Sequence, residues 1–416
     1  MTSLAFSQSS EDARQRARAV RDLGKQGDDA IPKIASYAGD PDLNVRIEAV
    51  KALVDIGGPK TLDPLVRAAR DNDPEIQIRA TDGLVNFYLP GYVKTGLSGT
   101  LQRAGSSVKG KFTDTNDQII DAFVQVRQDV IEALGKLARG GASLDTRANA
   151  ARAVGILRGQ AAIPDLIEAL HSKDDQVMYE SLVALQKIRD PSAAPRIAFL
   201  LRDLEEKIQV AALETTGILR NREAGRDVRD ALEHARTPRV RKAALTALAM
   251  IADPADHPIF MRYLPDKDDG LRAAAAEGLA RLANPADRTA VDKAFGDEHK
   301  MSPRLSDAFA MVSLGNLDTG EFSPLRYLVN TLNVRAYRGV AIAFLTELGR
   351  DPKTRQAIYP LLTRATKDEK IQLSIMLARS GDRESVPYLE ALSVDPDPEV
   401  QQEGIRSLRT LRARLP

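Results

Sequence analysis

The sequence has no cysteine and no tryptophan, and aromatic residues fill only 5% of its 416 positions. Without cysteine there are no disulfides, no thiolate metal sites and no cysteine nucleophile, and the redox compartment is left open. A core this poor in aromatics is built from Ala, Leu, Val and Ile, which suits closely packed helices better than a wide globular interior. Net charge is lacking too, with 59 Lys and Arg set against 58 Asp and Glu. No global field favours a nucleic acid or a membrane, so any such partner is held by a local patch. No apolar run approaches the roughly 20 residues that cross a bilayer. The histidines number four, His171, His234, His257 and His299. They lie far apart, in no metal-ligand spacing, and are read as structural or surface residues. No P-loop, dinucleotide fingerprint or G-x-S-x-G elbow occurs. "RGGAS" at 139–143 reads as a helix stop, and Glu205, Glu206, Asp266, Asp268 and Asp269 as solvated loop caps. No catalytic, cofactor or metal residue is assigned.

Internal repetition organises what is there. "DPDLNVRIEAVKALVDIGGPKTLDPLVRAA" from Asp40 is echoed by "DPEIQIRATDGLVNFYLP" from Asp73, with the Asp-Pro pair returning after 33 residues. In that alignment Val45-Arg46 matches Ile78-Arg79. Later anchors at Val177, Ile208, Val240 and Leu271 fall about 31 residues apart, and the last clear copy starts at Asp395. Each unit reads as two helices. Val45, Ala49, Ala52, Leu53 and Ile56 form one apolar stripe at helical spacing. The aspartate caps the first turn, proline is tolerated there, and Gly57-Gly58-Pro59 stops the helix. Leu62, Leu65, Val66 and Ala69 mark the short partner helix. One such pair cannot bury its own stripe, so pairs must stack.

This pattern of Asp-Pro, apolar-Arg, alanine-rich helix and Gly-Pro stop resembles the HEAT repeat, in particular the short variety of bacterial proteins and bilin lyases. The resemblance implies an all-α, right-handed α-solenoid, one elongated array over residues 9–416 in roughly twelve units. It also implies that the helix after Asp-Pro lines the concave wall. Arg46, Glu48, Lys51, Arg152, Glu180, Glu214, Lys242, Glu277 and Arg338 would then face inward. Arg46, Arg79 and Arg272 are expected to form a structural ladder with loop aspartates. Residues 299–334 keep the helix-loop-helix rhythm without Asp-Pro, and "RSLRTLRARLP" reads as a polar cap. Residues 1–8 are expected to be disordered. Ala5-Phe6-Ser7 before Gln8 has the form of a trimmed export signal, so the compartment is read as cytoplasmic, or exported if residues 1–7 are such a remnant.

One interruption, 88–117 inside the third repeat, breaks the rhythm. In the Asp-Pro alignment Asp82 replaces Ala49 and Asn86 replaces Leu53, polar groups at stripe positions. About 35 extra residues then precede a helix expected to resume near Gln118. Val93, Leu97, Leu101, Val108 and Phe112 fall at helical spacing, with Lys94, Arg103, Lys109 and Lys111 on the polar side. Glycines at 96, 99, 105 and 110 weaken an isolated helix by roughly 1 kcal/mol each. Such a segment orders only against a surface: its own solenoid, a partner protein or a lipid layer.

The reading is a non-enzymatic scaffold that binds a protein or peptide along its concave face, shaped or gated by the insert. Its contact residues are Tyr88, Tyr92, Lys94, Arg103, Lys109, Lys111 and Phe112 of the insert, with Lys51, Arg152, Glu180, Glu214, Lys242, Glu277 and Arg338 of the wall. Two alternatives stand beside it. One is a scaffold on a membrane surface, through the basic insert. The other, carried by the resemblance alone, is an enzyme of the bilin-lyase or DNA-glycosylase kind; nucleic acid is otherwise not an expected partner.

Overall fold

The computed structural model describes residues 2–92, 118–121 and 123–415, with side chains from residue 11 onward. No strand occurs among the described residues, and the chain is an α-solenoid of long and short helices in alternation. It divides into two compact units, 1–120 with 124–215, and 121–123 with 216–416.

In the first unit the long helices are α1 (Thr2–Gly24), α3 (Leu43–Ile56), α5 (Pro74–Tyr88), α7 (Leu144–Ile156) and α9 (Asp175–Ile188), each packed on the next. The helices α2 (Ile31–Tyr37), α4 (Leu62–Ala68), α6 (Gln128–Gly140) and α8 (Ile163–Ala169), all short except α6, form the second layer. Helix α1 already runs from Thr2, within the stretch expected to be disordered. The short helix after α9 is replaced by two 3-10 segments, Pro191–Arg196 and Ala198–Arg202, because Pro191 and Pro195 withhold backbone donors. Helix α10 (Glu206–Ile218) leads into the second unit.

There the long layer is α12 (Pro238–Ile251), α14 (Asp269–Leu282), α16 (Met301–Ser313), α18 (Arg338–Leu348), α20 (Lys367–Ser380) and α22 (Pro398–Arg414). The short layer is α11 (Gly225–Glu233), α13 (His257–Tyr263), α15 (Arg288–Asp297), α17 (Pro324–Thr331), α19 (Pro352–Ile358) and α21 (Val386–Leu392).

The long helices share a register set by their caps. Asp42 accepts from Asn44 N and Val45 N, and Asp73 accepts from Glu75 N and Ile76 N. The N-cap partner of Asp73 is therefore Asp42, not Asp40, and the repeat is 73 − 42 = 31 residues rather than 33. This corrects the alignment of the third repeat. Ala80 and Leu84 take the stripe places of Ala49 and Leu53, all four fully buried. Asp82 corresponds to Lys51 and Asn86 to Asp55, so neither interrupts the stripe. Small residues let successive helices close in: a Cβ on Gly155 would stand 2.7 Å from the Ala184 Cα.

The same register corrects the arginine ladder. Arg46, four residues past its cap, donates to the Asp40 and Pro41 carbonyls and reaches Asp71 of the next loop at 2.8 Å. Arg272 does likewise with the Asp266 and Lys267 carbonyls and with Glu298 at 2.8 Å. In the third repeat this slot belongs to Gln77, which donates to the Asp71 carbonyl at 2.6 Å and accepts from Ala142 N at 2.8 Å. Arg79 pairs instead with Glu75 on its own helix. One rung earlier, Arg16 donates to both Asp40 oxygens and holds that carboxyl below its ordinary range.

Helix ends follow a rule that the glycines only partly reveal. Gly57 leaves α3 at φ 66°, its N–H returning to the Leu53 carbonyl. Arg189, Ala252 and Ala283 close α9, α12 and α14 in the left-handed conformation at φ 59°, 53° and 47°, although L side chains resist it. One core position also departs from the pattern. Asp307 of α16 stands seven residues past the helix N-cap, where α14 has Ala275, and is only 3% exposed.

The insertion lies between the two helices of one repeat, α5 and α6, and among the described residues the next helix after α5 starts at Gln128 rather than near 118. Each described end meets α7, and the residue after Ile120, Asp121, pairs with Arg406 of α22 in the second unit. Tyr92 reaches Arg152 of α7, and Ile120 N donates to the Ile156 carbonyl at the end of that helix at 3.0 Å.

Candidate interaction face

The surface of the long helices that faces away from the short ones carries the polar side chains that make cross-repeat contacts. Nine residues past the caps stand Lys51, Asp82 and Arg152 in the first unit and Glu277 in the second; six past them stand Glu48, Arg79, Asn149 and Glu180.

In the first unit these rows interlock. Lys51 lies 3.9 Å from Glu48, which also meets Arg21 at 3.5 Å. A shallow depression beside it is lined by Lys51, Val54, Arg79 and Asp82. Asn149 donates to Asp82 at 3.2 Å. Arg152 holds both oxygens of Glu180, Nε at 3.1 Å and an Nη at 2.5 Å, and Gln176 adds a bond at 2.8 Å. Arg152 and Glu180 were expected as open wall residues; they are 5% and 4% exposed and committed to each other. Burial in that setting favours a bidentate pair, since either charge left alone would be costly.

Tyr92 completes the group. Arg152 donates to its phenol oxygen, and burial together with the nearby Asp82 and Glu180 charges pushes the phenol pKa upward. Tyr88 is half-buried at the end of α5, edge-on to Phe87, and its oxygen accepts from Arg127 N at 3.1 Å. Lys94, Arg103, Lys109, Lys111 and Phe112, with the amphipathic pattern expected there, lie outside the described residues.

In the second unit a different network crosses the same face. Glu347, near the end of α18, takes Arg281 from α14 through two bonds of 3.2 Å, passing over the intervening α16. It also accepts from Arg220, just beyond α10, at 3.0 Å. Long helices that are not sequence neighbours meet only on the inside of a curve, so this face is the inner one in this unit. Glu277 pairs with Arg281 at 3.1 Å, and burial pushes its carboxyl up against that attraction. Lys242 and Glu214 are exposed. Arg338 is not a wall residue. It donates to the Leu332 carbonyl at 2.7 Å and to Asp368 at 2.5 Å, a ladder position.

The histidines have local roles. His257 meets the buried Asp287 at 2.8 Å, His171 stacks on Phe199 with centroids 4.8 Å apart, and His234 contacts Asp230. Asp268 caps α14 as expected. No cluster of three metal-ligating side chains, and no helix long and apolar enough to cross a membrane, occurs among the described residues. The sequence reading missed Asp82, Asn149, Arg220, Arg281 and Glu347. Their partners lie 66 to 127 residues away, or in a register only the caps define.

Solved structures similar to this chain include an engineered protein (19% identity, 92% of this chain and 98% of that one, TM-score 0.39). Another is the CpcE–CpcF complex of phycocyanin lyase from Nostoc sp. PCC7120 (19%, 65% and 94%, TM-score 0.39). A third is Kap121p bound to Pho4p (14%, 95% and 55%, TM-score 0.42). No curated protein matches the sequence. The family description HEAT repeats matches residues 4–85, 131–202 and 193–280, more than half of the chain. With cap, ladder and stripe repeating through both units, the chain belongs to the HEAT-repeat family.

Proposed function

We propose that the protein is a non-enzymatic scaffold that binds a protein or peptide along the face of its long helices, with the 88–117 insertion shaping access to it. The HEAT-repeat solenoid is a fold typical of interaction scaffolds, offering many independent contact rows on one side. The observation that carries the reading is where the insertion is fastened. Tyr92 lies on the Arg152–Glu180 pair, Ile120 on the end of α7, and Asp121 on Arg406 of α22, so each end of the inserted segment is held at a long helix. Insertions in repeat arrays commonly leave from the binding face.

The test is site-directed photocrosslinking in native lysate. A crosslinker at Lys51, on the long-helix face, is expected to give a discrete protein adduct; one at Lys60, before the short helix α4, is not. Deleting residues 93–117 should change the yield at Lys51. Equal adducts from both positions, or none from either, would sink the proposal.

A further inference from the structure

We propose that Asp82, Asn149, Arg152 and Glu180 form a receptor for a tyrosine side chain of the partner, filled in this structure by the chain's own Tyr92. The inference deepens the scaffold reading and rests on it.

Three consecutive long helices build the receptor: Asp82 from α5, Asn149 and Arg152 from α7, Glu180 from α9. All four side chains are at least nine-tenths buried, at 9%, 8%, 5% and 4% exposure. The fold does not require them. At the places of Asn149 and Glu180, the second unit has Ala243 in α12, Ala274 in α14 and Ser306 in α16; at the place of Arg152 it has Thr246, Glu277 and Phe309, of which only Glu277 is charged. A buried ion pair is commonly no more stabilising than apolar residues of similar volume, so stability alone does not account for the substitution of polar groups for alanine. Recognition does.

The seated Tyr92 defines the chemistry. The Arg152 guanidinium donates to the phenol oxygen while the Asp82 and Glu180 carboxylates stand close by. A phenylalanine would leave that donor without its acceptor, and sites built to bond a hydroxyl reject the analogue that lacks it. A phosphotyrosine would bring its charge against two carboxylates. Tyr92 itself sits on a short turn four residues past α5, its N–H bonded to the Leu89 carbonyl. It therefore competes at high local concentration with any tyrosine arriving from outside.

The experiment uses the full chain carrying Tyr92→Ala. N-acetyl-tyrosinamide, N-acetyl-phenylalaninamide and N-acetyl-phosphotyrosinamide are titrated and followed by NMR. The tyrosine probe is expected to bind the variant at least about tenfold more tightly than it binds the wild type, and at least about tenfold more tightly than the other two probes bind the variant. Equal binding of the three probes, or no binding to a variant with unchanged circular dichroism and melting, would overturn the proposal. Should Tyr92→Ala fail to fold, Tyr92→Phe keeps the ring and removes the hydroxyl. A gain of about threefold for the tyrosine probe is then expected, and no gain would count against the receptor. The two levels fail separately. Loss of the Lys51 adducts defeats the binding face, whereas inert probes with adducts intact defeat only the tyrosine receptor.

Discussion

Asp307 makes the stability of the second unit depend on pH. Its carboxyl sits at a stripe position of α16, and burial, reinforced by Glu298 and opposed by Arg272 and Arg304, pushes its pKa up to about 7. In the unfolded chain the same group releases its proton near pH 4. Between these values the folded state holds a proton that the unfolded state has lost, so stability falls as pH rises from about 4 to about 7 and levels off above. Asp307→Ala supplies the residue that α14 has at this place. Its advantage over the wild type is expected to be near zero at pH 4, to grow through neutrality and to be constant beyond, reaching on the order of a few kcal/mol. Urea midpoints measured across that range check it; a pH-independent difference would contradict the burial argument.

The ladder works at the scale of the helix and its loops. Arg272 ties the N-terminal turn of α14 to two carbonyls behind it and to Glu298 ahead of it, the bonds to the Asp266 carbonyl and to Glu298 being partly buried. Removing it leaves carbonyls and a carboxylate without their donor, so Arg272→Ala is expected to cost about 3 kcal/mol. Arg79 had the same standing in the sequence, but the structure gives it only an ion pair within one helix. Arg79→Ala should cost no more than about 0.5 kcal/mol. Denaturation of the two variants side by side distinguishes them, and similar losses would mean that the cap-based register is wrong. The error in the sequence alignment came from "DPD": Asp40 receives the previous repeat's arginine while Asp42 caps the helix, and both stand beside the same proline.

At the largest scale, repeats touch mainly their neighbours, and one exception in the second unit is informative. Glu347 of α18 joins Arg281 of α14 and Arg220 just beyond α10, from repeats that are not adjacent in the stack. Glu347→Gln is expected to speed hydrogen exchange in the last turns of α14 and α18 while leaving their first turns unchanged. In the wild type, about 0.5 M salt should reproduce part of that effect, because the cluster is partly exposed and open to screening. Uniform acceleration along both helices, or none, would show that the network does not hold the curve.

Helix, stripe, cap and repeat were legible in the sequence because each is set by residues within a few positions of one another. Val45, Ala49 and Leu53 declare a buried face, and Asp73 before Pro74 declares a helix start, whatever the rest of the chain does. The left-handed ends at Arg189, Ala252 and Ala283 were not legible, since no glycine marks them and packing overrides the local preference. Charged side chains on the long helices were harder still. Arg152, Glu180, Lys51 and Lys242 look alike in sequence, yet the first two are buried against each other and Lys242 is exposed. What a charge does depends on its distance to a partner and on the water left around it. Those distances span 28 residues for Arg152 and Glu180 and 127 for Arg220 and Glu347. Only the stacking of the repeats brings such groups together, so the sequence determined the helices and their pairing, and the tertiary structure decided which side chains are structural ties and which stay exposed to solvent.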